Sequence, residues 1–281
     1  MGTRGLILAG RRSGGDALAD TSGYRHRALL PIAGVPMLLR VVRTLRASGL
    51  DAPIAISAGD DELLHADPGL ATLTDAGQLI FHLSGTSPAA SMADYFETSP
   101  DARPLLVTTA DHPLLTPEMV HFFTQAAERS TADFVVGLVP GSIFRARFPN
   151  QPRTFIVLRG EKFSGANLFY LRTAAAVAVP RFWTRAEHFR KQPWRLVSVF
   201  GLANLALFLI GRLDLAGALA RASRVIGVTI DAVVLPFAEA AIDVDREADR
   251  VTAEKLLGRT HENLSDVAVR DASDHPRVAP R

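Results

Sequence analysis

Short apolar runs alternate regularly with longer stretches of helical periodicity through the first half of the chain, and this rhythm restricts the fold more than any other feature. Leu6–Ala9, Pro53–Ser57, Leu79–Leu83, Pro104–Thr109, Phe134–Val139, Thr154–Leu158 and Ala166–Leu171 read as strands, with helices over Met37–Ser48 and Pro117–Arg129 between them. Such alternation builds α/β units on a mostly parallel sheet. The second helix carries its own start signals: Thr116 as N-cap, Pro117 where a missing N–H is harmless, and Glu118 at the positive end of the dipole.

Beyond Tyr170 the pattern becomes a long helical stretch, Ala174–Arg224, broken by Pro180, Pro193 and Gly201 and read as an insertion. A last apolar strand, Ile230–Pro236, leads to Ile242-Asp243-Val244-Asp245 and a helix from about Glu247 to Leu257. Residues 1–257 are expected to form one domain, and the polar tail 258–281 lacks apolar periodicity and is expected to be flexible. Leu196–Ile210 is the most hydrophobic run, but Ser198, Gly201 and Asn204 interrupt it and it falls short of the ~20 apolar residues a span needs, so it reads as a buried helix. Upstream, basic residues from Arg181 to Arg195 interleave with Phe182, Trp183, Phe189 and Trp194. Two readings stand at 181–210: peripheral contact with an anionic membrane or a phosphorylated substrate, and a solvated basic face with aromatic core anchors.

Composition removes whole classes of function. With 31 Lys+Arg against 29 Asp+Glu the net charge is only +2, so no basic coat invites nucleic acid. With no Cys there is neither a disulfide framework nor a thiolate nucleophile. The N-terminus runs straight into a strand without signal-peptide regions, and a cytoplasmic location is expected.

The chemistry-bearing residues gather where strands end. Gly10-Arg11-Arg12-Ser13-Gly14-Gly15-Asp16 follows the first strand, and its glycines and guanidinium groups suit a polyphosphate. It matches neither a Walker A sequence nor a dinucleotide fingerprint. The fourth strand ends in Ala110-Asp111-His112-Pro113, placing a carboxylate at the ligand edge of the sheet. Asp243 and Asp245 flank Val244 near the end of the domain, whereas Asp249 suits the first turn of the last helix. The histidines at 82, 112, 121 and 188 have no ligand spacing and read as surface or core residues.

Together with the first loop, Arg27-Ala28-Leu29-Leu30-Pro31-Ile32-Ala33-Gly34-Val35-Pro36-Met37 resembles the signature of the nucleotidyltransferases that activate sugar phosphates and related alcohols or acids, closest to the branch of molybdenum cofactor cytidylyl- and guanylyltransferases. The resemblance implies a Rossmann-like three-layer α/β sandwich with a mostly parallel sheet, into which the helical segment is inserted. It also implies a Mg²⁺-dependent transfer from a nucleoside triphosphate, CTP or GTP, to a small acceptor. Under it, Leu8, Ala9 and Gly10 line base and ribose, Arg11, Arg12, Ser13 and Gly14 cradle the phosphates, and Gly85 and Ser91 touch base and sugar. Arg27 stands where the family usually has Lys, exchanging a compact ammonium for a planar fork. Asp111 and Asp245 would bind the metal, with Asp243 in reserve; Arg12 and Arg27 would offset charge on the leaving pyrophosphate. Gly165 and Asn167 would enter the acceptor site, and Arg153 or Lys162 would hold an acceptor phosphate. Two other readings remain at this stage: a sugar-nucleotide glycosyltransferase built on Asp243-Val244-Asp245 as D-x-D, and a non-catalytic nucleotide-binding or membrane-associated relative.

Overall fold

The structure is a computed structural model, described over residues 2–10, 18, 22–59, 62–189 and 213–258. A sheet forms the middle layer. Its path runs β10 (Ile230–Val234), β7 (Phe134–Pro140), β9 (Glu161–Leu171), β6 (Leu105–Thr109), β1 (Arg4–Leu8), β4 (Asp51–Ala58), β5 (Leu79–Leu83), and β8 (Ile156–Leu158) pairs with β9 off this path. The pairs β1–β4, β1–β6, β4–β5 and β7–β10 are parallel, while β9 is antiparallel to β6, β7 and β8. The expected mostly parallel α/β architecture is what the chain adopts.

The core explains why these segments become these elements. In α1 (Met37–Ala47) the residues Met37, Leu38, Val41, Val42 and Leu45 are all fully buried, a stripe at helical spacing laid on the sheet. α5 (Pro117–Arg129) begins as its sequence dictates, with the Thr116 side chain accepting from the Met119 amide and Pro117 in the first turn. On the opposite face, Met92, Tyr95 and Phe96 of α4 (Pro88–Thr98) pack against Leu6, Val107 and Phe134.

Strand topology fixes where a ligand can enter. From β1 the chain proceeds to β4 and β5 on one side, then returns to place β6 on the other side of β1. Connections therefore leave the carboxyl ends of β1 and β6 in opposite directions, which opens a crevice there. The Ala110 amide donates to the Leu8 carbonyl at 3.0 Å, so the two strand ends are locked together at that crevice.

Three features were not legible as elements. β9 starts at Glu161, five residues before the predicted Ala166, because Lys162–Gly165 pair with β7 and β8 although Lys162, Ser164 and Gly165 leave Phe163 without an apolar run around it. A hairpin of β2 (Pro31–Ile32) and β3 (Val35–Pro36) precedes α1, with positive φ at Ala33 (47°) and Gly34 (76°). Arg40 donates to the carbonyls of Ile32 and Ala33 and holds this turn. Ala33 carries a Cβ into a left-handed conformation that Asn tolerates better, so Ala33→Asn is expected to stabilise the chain by about 1 kcal/mol, read as a rise of roughly 2–4 °C in the thermal midpoint. An unchanged or lower midpoint would remove strain from the account of this turn. The short helices α2 (Glu62–His65), α3 (Pro68–Asp75) and α6 (Gly141–Arg147) also lack a clear periodicity.

Of the helical stretch, α7 (Ala178–Phe189) and α8 (Leu215–Ile226) are described. Trp183 packs edge-on against Phe134 at 5.8 Å and Phe169 at 5.7 Å, and Arg181 pairs with Glu97 at 2.6 Å. In this part the aromatic residue is a core anchor beneath a basic face. The apolar run 196–210, the bases from Arg190 to Arg195 and the tail from 259 lie outside the described residues. Among the described residues no helix is long and apolar enough to cross a membrane.

Candidate active site

Arg27 opens a short 3₁₀ turn, Arg27–Leu29, capped by the His26 ring, which accepts from the Ala28 amide at 3.1 Å. Ala28, Leu30 and Ile32 are sunk in the core, and the Met37 amide donates to the Leu30 carbonyl, so the segment is pinned on its inner side. Its side chain is 15% exposed and its guanidinium grips two carboxylates: one nitrogen lies 2.6 Å from Asp111 Oδ2 and the other 2.6 Å from Asp245 Oδ1. These residues are separated by 84 and 218 positions in sequence.

Asp111 follows the last residues of β6 and sits in the crevice beside the end of β1. Asp245 arrives on the extended segment 242–245, where Ile242 and Val244 are buried and the alternate residues Asp243 and Asp245 face the site. The Val244 amide donates to the Asp111 carbonyl at 2.8 Å, tying the two carboxylate-bearing segments together. Burial pushes the Asp111 carboxyl above the usual carboxylate range, and the Arg27 guanidinium pulls it back. Its Oδ1 is buried and has no hydrogen-bond partner among the described residues. His112, the next residue, is 1% exposed, and burial pushes its imidazole down to about 4. It is a neutral core histidine.

Beside this pair opens a cavity of about 360 Å³ lined by Arg153, Ser164, Gly165, Asn167, Asp243, Asp245, Arg246 and Asp249, among others. Arg153 is well occupied: Nε donates to Ser164 Oγ at 2.7 Å, one terminal nitrogen to Asp243 and the other to the Gly165 carbonyl at 3.3 Å. Asn167 has φ of 49° and donates to Asp243 Oδ2 at 3.5 Å. It sits on a bulge where three residues of β9, 166–168, oppose the single Gly137 of β7, and such bulges re-aim side chains. Gly165 has open space where a Cβ would point. Asp249 is taken up elsewhere, accepting from the Arg246 amide and from Gln151 at the start of helix 247–258.

The other predicted residues divide. Gly10 lies within 3.6 Å of Ser84 Oγ, measured from where its Cβ would be, so the first loop and the loop after β5 meet there. Leu8 and Ala9 are buried, and the Ala9 amide donates to Ser57 within the sheet. Ser91 is spent locally, accepting from the Gly85 amide and donating to the Ser87 carbonyl at the start of α4, both at 3.0 Å. Lys162 is exposed and lines a separate groove with Arg145 and Phe155. Arg11, Arg12, Ser13 and Gly14 lie outside the described residues. The sequence reading did not single out Ser164, Gln151 or Arg246; extending β9 back to Glu161 would have put Ser164 in the strand beside Gly165.

Among the described residues no group of three or more His, Cys, Asp or Glu converges as metal ligands. Among the described residues Asp111 and Asp245 are the two carboxylates that share Arg27. That donor set fits Mg²⁺, which takes one or two carboxylates and completes its octahedron with water and phosphate oxygens, and the unpartnered Asp111 Oδ1 supplies a hard donor there.

A crevice at a topological switch point, with two carboxylates and a guanidinium at its mouth, places the chain among the open α/β proteins that bind their ligands at the carboxyl edge of the sheet. Residues 5–193 match the model of the MobA-like NTP transferase domain, and the chain belongs to that family. It is a nucleotidyltransferase, and that family places it apart from the glycosyltransferase reading. A hypothetical transferase from Thermus thermophilus is 31% identical with a TM-score of 0.70, the likeness covering 89% of this chain and 100% of that one. Two more distant structures share the fold. CMP:2-keto-3-deoxy-manno-octonic acid synthetase complexed with CTP is 14% identical with a TM-score of 0.55, covering 92% and 100%. 2-C-methyl-D-erythritol 4-phosphate cytidylyltransferase, also from Thermus thermophilus, is 16% identical with a TM-score of 0.50, covering 91% and 98%. No curated protein matches the chain.

Proposed function

We propose that the chain transfers the nucleoside monophosphate unit of CTP or GTP, in a Mg²⁺-dependent reaction, to a small phosphorylated or otherwise oxygen-nucleophilic acceptor with release of pyrophosphate. The observation that carries this reading is the convergence of Asp111 and Asp245 on Arg27 at the crevice, with Asp245 also lining the 360 Å³ cavity. Nucleotide on one side and acceptor on the other would then meet at Asp245.

In this reading Asp111 and Asp245 hold the metal and the first loop, with Gly10, Arg11, Arg12, Ser13 and Gly14, takes the phosphates. Gly85 and Ser91 shape the loop beside the base. Magnesium held by Asp111 and Asp245 would supply positive charge to offset that of the phosphate oxygens. An acceptor oxygen held near Asn167 and Gly165 forms a bond to the α-phosphorus while the bond from that phosphorus to the β-phosphate bridging oxygen breaks. Arg12 and Arg27 stabilise the pyrophosphate that departs, so the protein works by positioning and electrostatics, without a covalent intermediate. Arg153 holds Asp243 and through it Asn167, which makes the pair an orienting element of the acceptor side.

Thermal denaturation with each NTP, with and without Mg²⁺, tests the reading. At 100 times its Kd a ligand stabilises by about 2.7 kcal/mol, so CTP or GTP with Mg²⁺ is expected to raise the midpoint clearly and the other NTPs to do so weakly. No rise with any NTP would sink it.

A further inference from the structure

Arg27 does more than face the site: it spans the two carboxylates that the proposed function assigns to the metal, and the inference rests on that assignment. Its guanidinium makes 2.6 Å contacts to both Asp111 and Asp245, and all three side chains are partly or largely withdrawn from solvent, at 15%, 14% and 36% exposure. A planar fork can reach two carboxylates at once through separate nitrogens, which a single ammonium does less well. Together the groups carry a formal charge of −1, against −2 for the carboxylates alone.

We infer that Arg27 is a built-in counter-cation that keeps the Asp111–Asp245 pair closed to free divalent metal, so that metal enters only together with a nucleoside triphosphate. A ligand shifts such an equilibrium only by its differential affinity for the two arrangements. A free divalent ion must displace the guanidinium from two ion pairs and gives it no new partner. A metal–triphosphate complex brings phosphate oxygens that accept bidentate hydrogen bonds from the same guanidinium, so Arg27 exchanges carboxylates for phosphates while the metal takes its place. The exchange also avoids leaving a largely buried carboxylate without a counter-charge, the costly state for such groups. Substrate order follows: nucleotide and metal arrive as one unit.

Mn²⁺ in the absence of nucleotide is the probe, its free concentration read by electron paramagnetic resonance at one fixed pH for all variants. Wild-type chain is expected to bind Mn²⁺ weakly. Arg27→Met is expected to bind it at least about tenfold more tightly, and adding Asp111→Asn to that variant is expected to remove the gain. Arg27→Gln, whose amide still donates to a carboxylate, gives the same comparison if Arg27→Met does not fold. Equal Mn²⁺ affinity in wild type and either Arg27 variant overturns the inference, as does tight Mn²⁺ binding by wild type that Asp111→Asn abolishes. Pyrophosphate release by wild type alongside either result leaves the proposed function standing and removes only Arg27's role. A tenfold gain in the variant with no NTP-dependent stabilisation of wild type removes the proposed function and with it the joint entry of metal and nucleotide, leaving Arg27 only as a counter-cation to the two carboxylates.

Discussion

Asp111→Asn is expected to lower the rate of NTP-dependent pyrophosphate release by on the order of 10³-fold, equivalent to about 4 kcal/mol of barrier, while the chain stays folded. Under the proposed Mg²⁺ dependence the catalytic loss follows from chemistry: an amide is a poor ligand for a hard cation, and Asp111 is one of the two carboxylates that share Arg27. Retention of the fold follows from the surroundings. Burial already pushes the Asp111 carboxyl upward, which means its ionised form is costly to hold in the native state. The amide removes that cost, its oxygen can still accept from Arg27, and Arg27 keeps Asp245 as counter-charge, so no buried charge is stranded. A thermal midpoint within a few degrees of wild type is therefore expected. Unimpaired pyrophosphate release in the variant would refute the role given to Asp111, and a large loss of stability would refute the view that function, rather than folding, keeps a carboxylate there.

The second large effect is acid lability arising at His112. Its imidazole is held neutral in the native state, with burial pushing it down to about 4 against 6.5 for an unperturbed histidine. An unfolded chain takes up a proton below about 6.5 that the native state refuses until about 4, so this contribution is complete above 6.5 and is lost as the pH falls toward 4. The gap corresponds to on the order of 3 kcal/mol. Asp243 and Arg153 face the ring with opposing effects, the first favouring and the second opposing its protonation. Asp111 works the other way, since a carboxyl raised by burial favours the native state at low pH and offsets part of the loss. Denaturant unfolding of the nucleotide-free chain between pH 7 and 4 measures the sum, and His112→Gln isolates the histidine. The variant is expected to lose less stability over that range. Parallel curves for wild type and variant would show that the ring is not a buried neutral group.

The strands were legible because each is a short apolar run bounded by breakers, and the predicted runs coincide with strands to within a few residues apart from β9. β9 was read short because Lys162, Ser164 and Gly165 carry no apolar pattern, and its register is fixed by β7 and β8 on either side. Side-chain roles were less legible than positions. Asp111, Asp245 and Arg27 were each singled out from sequence, but nothing in the sequence says that one guanidinium bridges both carboxylates. Asp243 was held in reserve beside Asp245, and only packing gives it Arg153 and Asn167 as partners. Ser91 and Lys162 follow the same logic: a hydroxyl in a helix's first turn is easily spent on that turn, and a lysine one residue along a strand from the cavity side falls on its other face.

What the sequence by itself determined is the class of fold and the identity of its reactive groups. Periodicity encodes which face of each element seeks the core, and strand ends bearing Gly or Asp mark the ligand edge. What only the tertiary structure decided is which of those groups meet. Asp111 and Asp245 lie 134 residues apart, and they share a cation because β6 ends beside β1 and because the Val244 amide binds the Asp111 carbonyl. Such pairings depend on sheet order and on hydrogen bonds between distant segments, and local sequence carries no energy term for either.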